Sequence, residues 1–253
     1  MQPFRNRIAQ YTALADEAWG PFSEMATDLQ SYEMDEDIIC ASEPADNVFI
    51  MVEGWAIRYR VLEDGRRQIV NFMLPGDIFD LQSLADLKAD HSVTTVTPAT
   101  VIKIKSEKFL RLLRQSTELA ATFWWASVQE ESILREQIVR IGRRSAQERI
   151  GHLLLELERR FNIAIGKETT HMPLPLSRTE LADTLGLTSI HVSRTMSSMR
   201  RSGLIEEVDR NIRILDREKL SKMCQFDLDY LHLRTLDFST EIEANNNSVL
   251  NLG

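Results

Sequence analysis

Leu176-Ser177-Arg178-Thr179-Glu180-Leu181-Ala182-Asp183-Thr184-Leu185-Gly186-Leu187-Thr188-Ser189-Ile190-His191-Val192-Ser193-Arg194 decides how this chain is read. Ser177 and Glu180 have the spacing of a capping box. In it the Ser side chain accepts the backbone N–H three residues on, and the Glu reaches back. The helix this predicts, Arg178–Leu185, stops at Gly186, where a sharp turn favours a residue tolerant of positive φ. Thr188 is placed to cap a second helix running to about Arg201, which ends at Ser202-Gly203. Leu181, Leu185, Leu187, Val192, Met196 and Met199 supply apolar contacts between the two helices. That leaves Ser189, Ile190, His191, Ser193 and Arg194 at the N-terminal end of the second helix, the end a helix-turn-helix lays in the major groove of DNA. Leu204–Val208 and Ile212–Leu215, joined through Asp209-Arg210-Asn211, read as a β-hairpin, the wing. Helix, Gly and helix alone are equally the pattern of a helical hairpin that packs and binds nothing. Capping box, turn, acid-free second helix and wing in one order favour DNA.

The charge pattern qualifies this. The 253 residues carry a formal net charge of −8, which by itself argues against a polyanionic partner. Phosphate attraction is screened over roughly 10 Å, so local charge decides. Ser189–Ile205 holds Arg194, Arg200 and Arg201 and no carboxylate. Ser132–Arg149 holds Arg135, Arg140, Arg143, Arg144 and Arg149 against Glu136 and Glu148. The acidic excess lies chiefly in the first 50 residues and the tail.

Length allows two domains with separate cores. Hydrophobic residues at 43% and charged residues at 27% are ordinary for a soluble globular protein. No run of about 18 apolar residues predicts a membrane span. The N-terminus lacks the apolar core of a secretion signal, and Cys40 and Cys224 are too few for a disulfide framework, so the cytoplasm is the expected compartment. No metal-type spacing, phosphate-binding Gly loop or nucleophile elbow occurs, and Asp90-His91-Ser92, adjacent in sequence, do not make a triad. An enzyme is not expected.

Outward from the motif, the chain changes period. Residues up to about 30 have helical spacing at Ile8, Leu14, Phe22, Met25 and Leu29. From Ser31 to Ser106 short β-rich runs (Asn47–Met51, Trp55–Leu62, Gln68–Met73, Thr94–Lys105) alternate with turn signals such as Asp64-Gly65, predicting a sandwich, barrel or roll. A short helix starts at Ser106. Thr117 is positioned to cap a longer one to about Ile141, with Phe123, Val128, Leu134, Ile138 and Ile141 on one face and Gly142 as hinge or end. Trp124-Trp125 read either as dimer anchors or as packing against the chain's own strands. Arg58, Arg60, Arg66, Arg67 and Gln68, around the hairpin, read as a solvated edge, or as an anion or polymerase contact. A further helix runs from Ala146 to about Phe161 with Ile150, Leu153, Leu154 and Leu157 as its stripe. Asp216–Leu236 is helically spaced without a functional reading, and Asn245-Asn246-Asn247 marks a tail expected to be mobile.

Val52-Glu53-Gly54, Leu74-Pro75-Gly76-Asp77, the long helix, and Leu181 to Thr188 followed by Val192-Ser193-Arg194 together resemble the Crp/Fnr family of regulators, over about residues 34–215. The resemblance implies an α+β chain: an N-terminal cyclic-nucleotide-binding-like β-roll, a long dimerisation helix, and a C-terminal winged helix-turn-helix. The expected division is 1–116 for the roll with its N-terminal helix, 117–144 for dimer helix and hinge, 145–216 for the DNA-binding domain, and 217–253 for the extension and tail. The implied partners are double-stranded DNA, a second copy in a homodimer, and RNA polymerase, with no membrane. Ser177, Arg178, Thr179 and Thr188 lie where the family contacts phosphate, and Ile190 and Arg194 where it reads bases; Ser189 and His191 are placed to add base or phosphate contacts, with Ser193 at the same end of the helix. Arg178 reads equally as a solvated surface residue. Ile190 replaces a Glu that reads cytosine, whereas Arg194 keeps the guanine-reading position.

The roll departs from the cyclic-AMP-binding pattern. Leu81 stands at the Glu that takes the ribose hydroxyl, and His91-Ser92 at the Arg-Ser pair that takes phosphate. Leu accepts no hydrogen bond and a neutral His is a poor substitute for a bidentate Arg, so cyclic AMP is not expected. Leu81, Gln82, Ser83, His91, Ser92, Leu134 and Arg135 remain the effector-pocket candidates. Two distant Cys do not supply the four thiolates of an iron–sulfur cluster. No cofactor or metal is identified. Two other readings stand beside the regulator controlled through its roll: a ligand-binding module acting on a protein partner, and a DNA-binding regulator that needs no ligand.

Overall fold

The computed structural model describes residues 1–12, 14, 16–85 and 87–233. Eight strands form the roll: β1 (Leu29–Tyr32), β2 (Asp37–Ile39), β3 (Asn47–Glu53), β4 (Ala56–Val61), β5 (Arg67–Met73), β6 (Ile78–Phe79), β7 (Ser92–Thr95) and β8 (Ala99–Lys105). They pair antiparallel in two sheets of order β1-β8-β3-β6 and β2-β7-β4-β5. Phe49, Met51, Ala56, Met73, Phe79, Val93 and Val101 fill the space between them. The run read as one strand from Thr94 to Lys105 is two, because Pro98 has no N–H for the ladder and the chain turns there. Gly54 makes the return from β3 at φ +84, and a Cβ there would lie 2.4 Å from the Pro98 carbonyl oxygen. No other residue fits.

The N-terminal segment is two helices, α1 (Gln2–Ile8) and α2 (Asp16–Met25), and Leu29 belongs to β1 instead. Thr27 and Asp28, which compete for backbone hydrogen bonds, intervene. Phe4, Tyr11, Trp19 and Phe22 meet Phe109 of α3 (Ser106–Gln115) and Phe123 of α4 (Thr117–Arg143), with Phe4 5.2 Å from Phe22 and Phe109 4.8 Å from Phe123.

Three expectations for the long helix change. Ser116, not Thr117, is the cap, accepting the Leu119 N–H at 3.2 Å. Gly142 does not end α4, since one glycine costs a helix only about 1 kcal/mol. The break falls at Arg144 in extended conformation, and a capping box of Ser145 and Glu148 starts α5 (Ala146–Ile165). The expected single apolar face is divided. Phe123 is buried in the chain's own core, whereas Ile138 is 67% exposed.

The C-terminal part holds β9 (His171–Pro173), α6 (Arg178–Leu185), α7 (Ser189–Arg201), β10 (Ile205–Val208), β11 (Asn211–Ile214) and α8 (Arg217–Cys224), followed by a 3-10 turn at Asp229–Leu231. The wing is a three-stranded sheet, β10-β11-β9. Its turn is two residues, Asp209 and Arg210, both at positive φ, while Asn211 pairs with Val208. That is the turn that matches strand twist. Leu154, Leu157, Leu181, Leu185, Val192, Met196 and Ile212 form one core with Trp55, Ile57, Ile69 and Phe72 of the roll. The separate cores expected from length are therefore continuous here. Helical spacing in Asp216–Leu236 yields a helix only to Cys224, since Gln225 turns left-handed. Residues 234–236 of that stretch and the Asn245–Asn247 tail lie outside the described residues.

Candidate nucleic-acid interface

Local chemistry aims α7. The Ser177 hydroxyl accepts the Glu180 N–H at 3.1 Å and the Glu180 carboxylate accepts the Ser177 N–H at 2.6 Å. Gly186 then turns at φ +62, and the Thr188 hydroxyl accepts the His191 N–H at 3.2 Å. Val192, Met196 and Met199 are fully buried beneath α7. The opposite side of its first turns carries His191, Ser193 and Arg194, all exposed, with Ile190 at 64% exposure and Ser189 half-buried. No carboxylate stands in the first turn, where the helix dipole favours anions. Among the described residues Arg194 has no ion-pair partner. Ser177, Thr179 and Thr188 are exposed near this end. Arg178 differs: its guanidinium donates twice to the wing carboxylate of Glu207, at 2.5 and 2.7 Å, and Arg200 stands 3.5 Å from the same group.

The other basic islands turn partly inward, leaving Arg60, Arg66, Arg135 and Arg143 exposed. Of the window before α6, Arg140 is buried on Glu156, Arg144 pairs with Glu136 at 2.5 Å, Arg149 donates to the Leu185 carbonyl at 2.8 Å, and Arg135 pairs with Glu131 on its own helix. Around the β4–β5 hairpin, Arg58 meets Glu130 of α4, Arg67 meets Asp183 of α6 at 2.9 Å, and Gln68 donates to the Thr184 carbonyl at 3.1 Å. Arg60 and Arg66 are exposed, as a solvated edge would be, whereas Arg58 ties the roll to α4 and Arg67 and Gln68 tie it to the DNA-reading head. Sequence charge counts cannot separate a surface patch from an internal ion pair.

Among the described residues, the effector-pocket candidates make the following contacts. His91 is buried, with Nδ1 2.8 Å from Asp90 and Nε2 3.4 Å from buried Asp80, and Gln82 lies 3.4 Å from it. Burial, then the nearby Arg58 charge, holds the His91 imidazole below its ordinary range, while burial raises the Asp80 carboxyl. Ser83 receives the Ser106 hydroxyl at 2.8 Å, and Ser92 accepts the Ala41 N–H. Leu81 and Leu134 are half-buried, and Arg135 is exposed. A cavity of about 180 Å³ in the roll is lined by other residues, among them Ile39, Cys40, Asn47, Phe49, Asp80 and Lys103.

Sequence reading missed a buried ionic chain. Asp77 lies between Arg7 at 2.6 Å and Arg160 at 2.7 Å. Arg160 stands 3.6 Å from Glu156, which also binds Arg140 and accepts the Tyr230 hydroxyl at 2.8 Å. The available signal was Glu156 and Arg160, four apart and flanking Leu157 in the stripe of α5, a placement that buries charge.

Roll, long helix and outward-facing α7 define a winged helix-turn-helix DNA-binding regulator. Two family models match, a cyclic nucleotide-binding domain over residues 29–116 and a Crp-like helix-turn-helix domain over 148–223. The nitrogen fixation regulation protein FixK of Azorhizobium caulinodans is 31% identical over 193 residues, 76% of this chain and 77% of that one. The transcriptional activatory protein AadR of Rhodopseudomonas palustris is 32% identical over 76% and 79%. The structure of FixK2 from Bradyrhizobium japonicum superposes with a TM-score of 0.70 at 30% identity, covering 77% of this chain and 96% of that one. The chain belongs to the Crp/Fnr family of DNA-binding transcription regulators.

Proposed function

We propose that the chain acts as a homodimer on a two-fold-symmetric operator, one α7 in each of two major-groove sites about a helical turn apart. The observation that carries this reading is the outward end of α7, with Ile190 exposed and Arg194 without an ion-pair partner among the described residues, over a buried apolar floor. Arg194 donates to guanine O6 and N7, and Ile190 packs on a thymine methyl. Ser189, His191 and Ser193 add base or phosphate contacts. Ser177, Thr179 and Thr188 hold phosphates, joined by Arg178 when it exchanges Glu207 for the backbone. The second copy lies along α4, where Trp124 is 63% exposed in line with Ile138.

In this reading 1–116 is the sensing roll, 117–144 the dimer helix, 145–216 the DNA-binding domain and 217–253 the extension. RNA polymerase is the second macromolecular partner, the cytoplasm is the compartment, and no catalysis is assigned. Cyclic AMP is not the signal: Leu81 offers no acceptor, and His91 is flanked by two carboxylates where a phosphate needs cations. Nor is an iron–sulfur cluster, since Cys224 is buried with its thiol pushed up to about 12. An unidentified signal reaches the head through the roll and α4. The ionic closure around His91 favours a second reading, in which the dimer binds DNA without a ligand.

Selection of bound sequences from random duplexes, with purified protein and no additive, tests this. A two-fold motif containing guanine in each half-site, lost at that base pair in Arg194→Ala, is expected. Recovery of a motif without two-fold symmetry defeats the dimeric reading, and an unchanged base preference in the variant defeats the role of Arg194.

A further inference from the structure

Both ends of the described chain converge on one side chain of the dimer helix. Gln129, in the middle of α4, is buried. Its Oε1 accepts from Arg7 at 2.8 Å and from the Tyr11 hydroxyl at 2.6 Å, and its Nε2 donates to the Leu231 carbonyl. The segment after α8 runs along the groove between α4 and α5. Phe226 packs 4.9 Å from the His152 ring, Tyr230 donates to Glu156 at 2.8 Å, and His232 meets Ser132 at 2.8 Å and the Trp125 ring at 5.5 Å. Arg7 meanwhile reaches Asp77, whose partner Arg160 lies on α5. Residues before 29 and after 223, like α4, fall outside both matched family models.

We infer that Gln129 is a positioning residue for two-headed DNA binding, clasping the N-terminal helix and the C-terminal turn to α4 and thereby fixing the angle between dimer helix and DNA head. The helices α4 and α5 meet at the extended residue Arg144, which sets no angle by itself. Arg140 on Glu156 and Glu136 against His152 join the two helices directly, and the polar clasp adds a bridge across the joint from both sides. Gln129 lies about 140° round the helix from Trp124, so the clasp leaves the outward apolar seam uncovered. The recognition end of α7 is also uncovered, so the clasp orients the head without masking it. An oriented head enters a two-site complex with less ordering cost, and a single site does not sense the orientation.

The inference rests on the homodimer reading above, and its test separates the two. Full-length wild type, Gln129→Met, Gln129→Glu and Tyr230→Phe are compared by hydrogen exchange across residues 140–148 and by affinity for a palindromic and a half-site duplex. Gln129→Met keeps the volume and loses both grips. It is expected to raise exchange at the joint at least tenfold and to weaken palindrome binding about tenfold, with half-site binding unchanged. Gln129→Glu keeps the acceptor for Arg7 and Tyr11, loses the donor to Leu231, and falls between. Tyr230→Phe removes one hydroxyl, leaves the fold intact, and shifts both readouts in the same direction by a smaller factor. Unchanged exchange in all variants, or equal losses on both duplexes, overturns the clasp. A wild type that binds both duplexes equally overturns the two-fold reading, while the exchange data still decide the clasp.

Discussion

The head and the roll treat their polar side chains in opposite ways. On α7 the groups that matter face outward: among the described residues Arg194 has no carboxylate partner, and Ile190 is exposed among hydrogen-bonding neighbours. In the roll, the segment from Asp80 to Ser92 folds in on itself, with His91 set between Asp80 and Asp90. A surface built to meet a partner keeps its donors unspent, whereas the groups around His91 are satisfied by one another.

Four experiments press on that contrast. The most damaging change should be Arg160→Met at the junction, which takes one of its two cationic partners from buried Asp77, leaving Arg7, and costs up to about 3 kcal/mol in urea unfolding. A loss confined to the roll, with the head unfolding at its wild-type midpoint, would show two independent cores. Acid is next. His152 is buried beside Arg140 and Arg144, and its pKa is driven down to about 2. The folded chain thus refuses a proton that the unfolded chain takes near pH 6.5. Stability is full above 6.5 and falls as pH drops towards 2, by up to about 1.4 kcal/mol per pH unit. His152→Gln should flatten that slope, and an unchanged slope would point to other groups.

Arg194→Ala should relax the preference at one base pair by about 1–3 kcal/mol and leave unfolding untouched. Ser177→Ala removes one cap bond and should cost the head about 1 kcal/mol. A thermal melt without a shift in Ser177→Ala would mean the capping box carries no net stability.

What the sequence revealed was what is local. The capping box at Ser177, the turn at Gly186 and the cap at Thr188 each depend on residues within three or four positions, and each is found where the spacing placed it. The wing followed for the same reason, short of its third strand from β9, which comes from before α6. Hidden were matters of long range. Nothing near Arg58 or Arg67 in sequence announces Glu130 or Asp183, so the hairpin read as a surface patch. The merging of roll and head cores, and the grip on Gln129 by residues 118 positions before it and 102 after, lie beyond any periodicity. The long helix was intermediate: its extent was clear, but its cap, its end and the division of its apolar face depend on neighbours.

Trp124 and Trp125 make α4 its own optical gauge. Trp19 and Trp55 are buried, so Trp124 is the indole in water, and its emission should move to the blue when a second copy covers it. Trp125, half-buried and edge-on to His232, should instead brighten or dim as the C-terminal turn docks and departs. Two adjacent residues, a quarter-turn apart on one helix, thus give separate colours to assembly and to clasping, and single Trp→Phe variants would let each be followed in real time without any added label.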